Sequence, residues 1–172
     1  LSSDDPVRVF QEFATLDFST LKLCLQGGTA LRRGTAERWK ALTGVDVVEG
    51  YGLSETSPVL SFNPATINEF SGTTGLPLPS TDIKLLDDDG KEVAVGEAGE
   101  VCAKGPQVMS GYWEKPAETA QRLRPGPSPG EMVLYSGDLF RTDKEGWLYF
   151  VARKDDIIKS RGEKVSPREV EN

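Results

Sequence analysis

Glu49-Gly50-Tyr51-Gly52-Leu53-Ser54-Glu55-Thr56-Ser57-Pro58 is the stretch around which the chain is organised. An apolar run, Val45, Val47 and Val48, leads into it and stops at Gly50. An aromatic ring, a second glycine, a hydroxyl and a carboxylate then follow in quick succession. That is the layout of a strand that ends and delivers polar groups into a cleft. Glycine lets the backbone turn or come close to a ligand, and open α/β sheets bind ligands where their strands end.

Upstream, residues 21–25 form a short, nearly apolar run, as expected for a strand in a sheet covered on both faces. It ends at Gln26-Gly27-Gly28-Thr29-Ala30. Residues 31–43 carry Ala36, Trp39 and Leu42 at helical spacing and stop at Gly44, a suitable residue just past a helix end. With the strand at 45–48 this is a βαβ unit, which predicts a parallel pair. Before it, Asp4-Asp5-Pro6 reads as a helix start, and Val7, Phe10 and Phe13 or Ala14 as the apolar face of a helix over residues 6–14.

Downstream the composition changes. From residue 70 to 153 there is no sustained helical period but a series of short strands bounded by glycine. They are predicted at 82–86, 100–104, 108–113, 133–135, 138–142 and 147–152, with a short helical turn at 119–123. Asp87-Asp88-Asp89-Gly90 and Asp143-Lys144-Glu145-Gly146 read as turns, the second joining a hairpin. Residues 124–130, rich in proline and glycine, read as an exposed loop. Arg153-Lys154-Asp155-Asp156 is a charged break, and Ser166-Pro167-Arg168-Glu169 a capping box that opens another helix. The expected fold class is α+β: the end of a parallel α/β sheet layer (1–69), a small antiparallel β-barrel-like subdomain (70–153) and the start of a third unit (154–172).

The composition narrows the function classes. The 172 residues suit one sizeable domain or two small ones. A hydrophobic fraction of 37 %, with 18 glycines and 11 prolines, describes a globular chain rich in turns. Twenty basic against 27 acidic residues give a net charge of −7, which argues against sequence-independent nucleic-acid binding. Cys24 and Cys102 sit in apolar runs and read as core thiols in a reducing compartment. No apolar run has the length of a membrane span, and no signal peptide is legible. Histidine is absent, which removes Ser-His triads, His-based acid–base catalysis and His metal sites from these residues. Both termini read as cuts through helices, so a piece of a longer protein is expected.

Two tempting motifs have plainer readings. Ser71-Gly72-Thr73-Thr74-Gly75-Leu76-Pro77 could cradle a phosphate through its backbone. No lysine follows, however, and prolines and a strand come next, so a turn is expected. Asp87-Asp88-Asp89-Gly90 fails as a calcium loop, because Gly90 aligned to the loop glycine puts Leu85 and Gly96 at ligand positions. Tyr51, Glu55, Asp138 and Arg153 are each ordinary alone; their order on these elements points to a site.

That conjunction resembles the adenylate-forming superfamily of acyl-CoA synthetases, peptide-synthetase adenylation domains and luciferases. The resemblance runs through Gly27-Gly28-Thr29-Ala30, Tyr51-Gly52-Leu53-Ser54-Glu55, Ser136-Gly137-Asp138-Leu139 and the hinge-like Arg153–Gly162 segment, and covers almost the whole chain. Residues 50–64 and 105–115 are most similar to bacterial fatty-acyl-CoA synthetases. The resemblance implies two steps, adenylation of a carboxylate by ATP and then displacement of AMP by a thiol, usually coenzyme A. It also implies the residue roles. Gly27, Gly28, Thr29 and Tyr51 would meet the adenine, Glu49, Gly50 and Gly52 would also bind the nucleotide, and Asp138 would accept from the ribose hydroxyls. Arg153 would meet ribose or phosphate. Ser54, where the family usually has threonine, and Glu55 would be the catalytic pair, with Glu55 the Mg²⁺ ligand. Asp155 would be the hinge of a C-terminal lid, and Lys159 and Gly162 would approach the substrate or CoA channel. The implied partners are ATP, a carboxylic acid of fatty type and CoA, in the cytoplasm, with peripheral membrane contact left open. The family's phosphate-binding loop would lie upstream and its catalytic lysine downstream, so the isolated chain is expected to be inactive. Delivery to a carrier protein, and a non-catalytic nucleotide-binding module, are the alternatives.

Overall fold

A computed structural model describes residues 13, 15–67, 69–156, 158–160 and 163–165. The helix expected over 6–14 (Phe13 apart), the capping box at Ser166 and the lid residue Gly162 lie outside them. The βαβ unit is present: β1 (Cys24–Gln26), α1 (Arg33–Thr43) and β2 (Val47–Gly52). The two strands pair in parallel, Cys24 with Val47 and Gln26 with Glu49. α1 ends where a left-handed residue is tolerated, at Gly44 with φ 73°, whose N–H returns to the Lys40 carbonyl. Trp39 packs on the rings of Phe13 and Phe18, with centroids 5.9 and 6.2 Å away. The cover expected on both faces of β1 is found on one only among the described residues: Leu25, with Leu23 just before the strand, is 56 % exposed, while Cys24 and Gln26 on the other face are half-buried.

The strand expected to stop at Gly50 does not stop there. β2 runs to Gly52 because β3 (Val59–Phe62) folds back antiparallel against it, pairing Gly50 with Phe62 and Gly52 with Val59. β4 (Leu76–Pro77) follows on β3 and completes a mixed sheet ordered β1-β2-β3-β4. The two glycines make this return possible. A Cβ on Gly50 would stand 2.3 Å from the Phe62 ring, and one on Gly52 would stand 1.7 Å from the Pro58 carbonyl oxygen.

The second sheet contains β5 (Asp82–Leu86), β6 (Gly99–Lys104), β7 (Leu123–Pro125), β8 (Met132–Thr142) and β9 (Leu148–Arg153). α2 (Pro116–Arg122) leads into β7. The order is β5-β6-β8-β7, with β9 also on β8. This is a mixed α/β arrangement of open sheets, and the barrel-like expectation is corrected. β7 and β9 share one edge of β8, β6 takes the other, and no pairing among the described residues returns β5 to close a ring. Leu60 of the first sheet joins Leu85, Val101, Ala103, Phe140 and Leu148 of the second in one core, so the sheets pack on each other.

Three local expectations change for physical reasons. Residues 108–113 are not a strand, because their amides go elsewhere: Met109 N–H to the Glu55 carbonyl and Tyr112 N–H to Thr119 Oγ1. Residues 123–125 form a strand where the end of a helical turn and the start of a loop were expected, with Arg124 stacked on the Tyr135 ring at 4.1 Å. Residues 132–142 are one strand instead of two, interrupted by a bulge. Beyond β9 a turn (Lys154–Asp156) leads to an antiparallel pair, β10 (Ile158–Ser160) and β11 (Glu163–Val165). No helix among the described residues is long and apolar enough to cross a membrane.

Candidate functional site

A cleft of about 740 Å³ opens where the two sheets meet. Its walls come from the loop after β1, the end of β2, the turn at 54–56, the loop near Gly72, the bulge of β8 and the end of β9.

The bulge sets Asp138. Glu100 pairs with Leu139 and Cys102 with Tyr135, so β8 carries extra residues between these rungs. Gly137 takes up the kink at φ 78°. The displaced Asp138 N–H bonds the Ser136 hydroxyl at 3.0 Å. The Asp138 carboxylate, 5 % exposed, faces the cleft wall with two partners. The Tyr51 hydroxyl donates to its Oδ2 at 2.7 Å, and Arg153 Nε lies 3.4 Å from its Oδ1. Arg153 arrives there because it is the register partner of Asp138 across β8 and β9. Burial, reinforced by the Asp138 charge, pushes the Tyr51 phenol far above its ordinary range, so it remains a donor. The Tyr51 ring rests on Phe140, with centroids 4.4 Å apart. Phe140 in turn meets Phe150 edge-on at 5.5 Å.

Ser54 and Glu55 stand on a 3-10 turn (Ser54–Thr56). Its anchor is the fully buried Thr56 hydroxyl, which accepts from Leu53 N–H at 2.9 Å and donates to the Pro58 carbonyl at 2.8 Å. Glu55 is gripped from the other side. Its carbonyl accepts from Met109 N–H at 2.8 Å, and its Oε1 accepts from the Tyr112 hydroxyl. That hydrogen bond raises the Tyr112 pKa. No cluster of three acidic or thiol ligands exists among the described residues. Glu55 nevertheless suits Mg²⁺, a hard ion that commonly takes one protein carboxylate and completes its shell with water and substrate phosphates.

The β1–α1 loop closes the remaining side. Gly28 and Thr29 line the cleft, and Gln26 Nε2 holds the loop by donating to the Thr29 carbonyl at 2.6 Å. Gly27 does not line it; a Cβ there would make only an ordinary contact with the Gly50 carbonyl oxygen, at 3.4 Å. Glu49 is buried and accepts from Leu31 N–H at 3.3 Å, and burial raises its pKa. Gly50 and Gly52 are also in the wall.

The fold thus brings Gly28, Thr29, Glu49, Tyr51, Ser54, Glu55, Asp138 and Arg153 to one cleft. It does not bring Asp155, whose neighbour Asp156 lines the cleft instead. Lys159 stands in β10 opposite Lys164. The Ser71–Leu76 loop is structural at Thr73: its hydroxyl donates to the Leu148 carbonyl at 2.7 Å and accepts from Gly75 N–H at 3.0 Å. Sequence reasoning missed Tyr112, Arg122, Phe140 and Phe150. Arg122 Nη1 donates to the Ser136 carbonyl at 2.9 Å and reaches the cleft from the end of α2. No local pattern marks these residues: Phe140 and Phe150 meet through the pairing of β8 with β9, Arg122 arrives where its helix runs into β7 on the edge of β8, and Tyr112 arrives through its bond to Glu55.

A family model described as AMP-binding enzyme matches residues 4–113. The long-chain-fatty-acid–CoA ligase of Salmonella typhimurium is 48 % identical over 162 residues, which cover 94 % of this chain and 28 % of that protein. The Bacillus subtilis protein of the same name is 44 % identical over 161 residues, 93 % of this chain and 28 % of its own length. An anthranilate CoA ligase crystallised with anthranoyl-AMP is 31 % identical with a TM-score of 0.78, over 94 % of this chain and 30 % of that one. The chain therefore spans 28 % of the length of the two fatty-acid–CoA ligases.

Proposed function

The chain belongs to the AMP-binding enzyme family, and from that premise we propose that it supplies the nucleotide-side wall of an ATP-dependent fatty-acid–CoA ligase. In this reaction a carboxylate oxygen attacks the α-phosphorus of ATP and pyrophosphate leaves, giving an acyl-adenylate. The thiolate of coenzyme A then attacks the acyl carbon, and AMP leaves. The fatty-acid class is supported by the ligases of Salmonella typhimurium and Bacillus subtilis that the chain resembles.

The observation that carries the proposal is the convergence of Tyr51, Asp138 and Arg153 on one cleft that also holds Ser54 and Glu55. Tyr51 offers an aromatic edge for the base beside the small-residue loop at Gly28 and Thr29. Asp138, an acceptor-only carboxylate, has lone pairs left for both ribose hydroxyls after its bonds to Tyr51 and Arg153. Arg153, 47 % exposed at its side chain, presents its free guanidinium edge to ribose or phosphate. Ser54 would donate to a phosphate oxygen. Glu55 would hold Mg²⁺, which when bound neutralises phosphate charge. Catalysis by these residues is positioning and charge stabilisation, without a protein nucleophile.

In the same proposal residues 1–69 close the adenylate-forming core, 70–153 form its β-rich subdomain and 154–172 open a lid. Asp155 would be the pivot, and Lys159 and Gly162 would belong to the lid face that meets substrate or CoA. The cytoplasm, where ATP and CoA are available, is the proposed location. The test is fatty-acid-dependent ATP–pyrophosphate exchange by a protein of the relatives' length that carries this chain. Exchange that falls strongly in Asp138→Asn and Glu55→Gln supports the proposal. Exchange unaffected by both, or absent in the parent, contradicts it.

A further inference from the structure

Glu100 lies on β6 and is 7 % exposed, yet it takes no part in the site described above. A buried carboxylate is costly unless its oxygens are partnered, and here each oxygen has a partner with a consequence. Oε1 accepts from Gly137 N–H at 3.0 Å, and Oε2 accepts from Lys154 Nζ at 2.9 Å. Gly137 immediately precedes Asp138, and Lys154 immediately follows Arg153. Asp138 and Arg153 are register partners. One carboxylate therefore grips the neighbour of each member of the pair, one on β8 and one just beyond β9. Lys154 also reaches Asp88, in the turn after β5, at 2.9 Å, which ties the same corner to a third strand connection.

We infer that Glu100 is a positioning residue that sets the Asp138 carboxylate and the Arg153 guanidinium relative to the ribose of the bound nucleotide. The inference rests on the proposed role of Asp138. The bulge is the place where such a device is needed. Between the Glu100–Leu139 and Cys102–Tyr135 rungs the regular register between β6 and β8 is broken, and the Gly137 amide goes to a side chain. A ligand contact carried by the next residue inherits any slack in that amide, and displacements of about 1 Å weaken such contacts severely.

The experiment is calorimetric titration of the parent, Glu100→Ala, Glu100→Gln and Lys154→Met with AMP and with dideoxy-AMP, which lacks both ribose hydroxyls. A purely structural role would weaken both ligands alike. A positioning role erodes the preference for AMP. The expected result is a parent that prefers AMP, a preference reduced several-fold in Glu100→Ala and in Lys154→Met, and partial recovery in Glu100→Gln, which keeps an acceptor for Gly137 N–H. Should Glu100→Ala fail to fold, Glu100→Gln and Lys154→Met carry the test. A parental preference that survives unchanged in the folded variants overturns the inference alone. A parent that binds AMP without preferring it overturns the ribose role of Asp138, and the inference with it.

Discussion

The hydroxyl of Tyr51 donates to Asp138 Oδ2 at 2.7 Å, joining the end of the first sheet to the bulge of the second across 87 residues of sequence. Tyr51→Phe removes the donor and leaves a buried carboxylate with one partner fewer. The expected cost is about 1–3 kcal/mol. Urea unfolding followed by circular dichroism checks it; a midpoint equal to the parent's would mean the bond contributes nothing net.

Gly52 and Gly44 separate two reasons for glycine. A Cβ at Gly52 meets backbone atoms of Pro58 and Val59, whereas Gly44 has open space but a φ of 73°. Gly44→Ala should cost about 1–2 kcal/mol, the strain of a left-handed residue. Gly52→Ala should cost more than the about 1–3 kcal/mol typical of overpacking, because backbone cannot swing aside as a side chain does. Parallel thermal melts rank the two; Gly44→Ala proving the worse would refute the close-approach account of β2 and β3.

The two thiols should differ in reactivity and leave a mark on stability. Burial, with the Glu100 charge beside it, raises Cys102 from 9.0 to about 12. A thiol whose folded pKa is raised contributes stability that is complete below its unfolded pKa and lost as pH climbs through the folded one. Stability should therefore decline between pH 9 and about 12, and Cys102→Ala should remove part of that decline. In the folded chain at neutral pH the half-buried Cys24 should react with a thiol reagent before the buried Cys102. Equal rates would contradict the burial of Cys102.

Much of this was legible in the residues themselves. The βαβ unit followed from an apolar run, a helical period and Gly44, all local signals. The hairpin at 143–146 and the strand Asp82–Leu86 were equally local. What the sequence hid depends on non-local pairing. Gly50 and Gly52 looked like a strand end because nothing local announces that β3 returns against them. The bulge at Gly137 split β8 into two apparent strands, because a glycine inside a strand looks like a boundary. The barrel expectation failed because alternation identifies strands but does not say which edges meet. At the site, Tyr51, Glu55, Asp138 and Arg153 are each ordinary alone, and only their order along the chain, with the resemblance it carries, pointed to them. Tyr112, Arg122 and Glu100 gave no such sign, since their partners Glu55, Ser136 and Gly137 come near only in the folded chain.

The proposed ribose role of Asp138 is what would tie the adenylate to this cleft. Its most direct test is calorimetric titration of the parent and of the near-isosteric Asp138→Asn with AMP, with circular dichroism confirming that both are folded. The parent should bind AMP and Asp138→Asn should bind about tenfold or more weakly, as expected when hydrogen bonds to a charged group are lost. Equal affinity in the two proteins, or no binding by the folded parent, would contradict it.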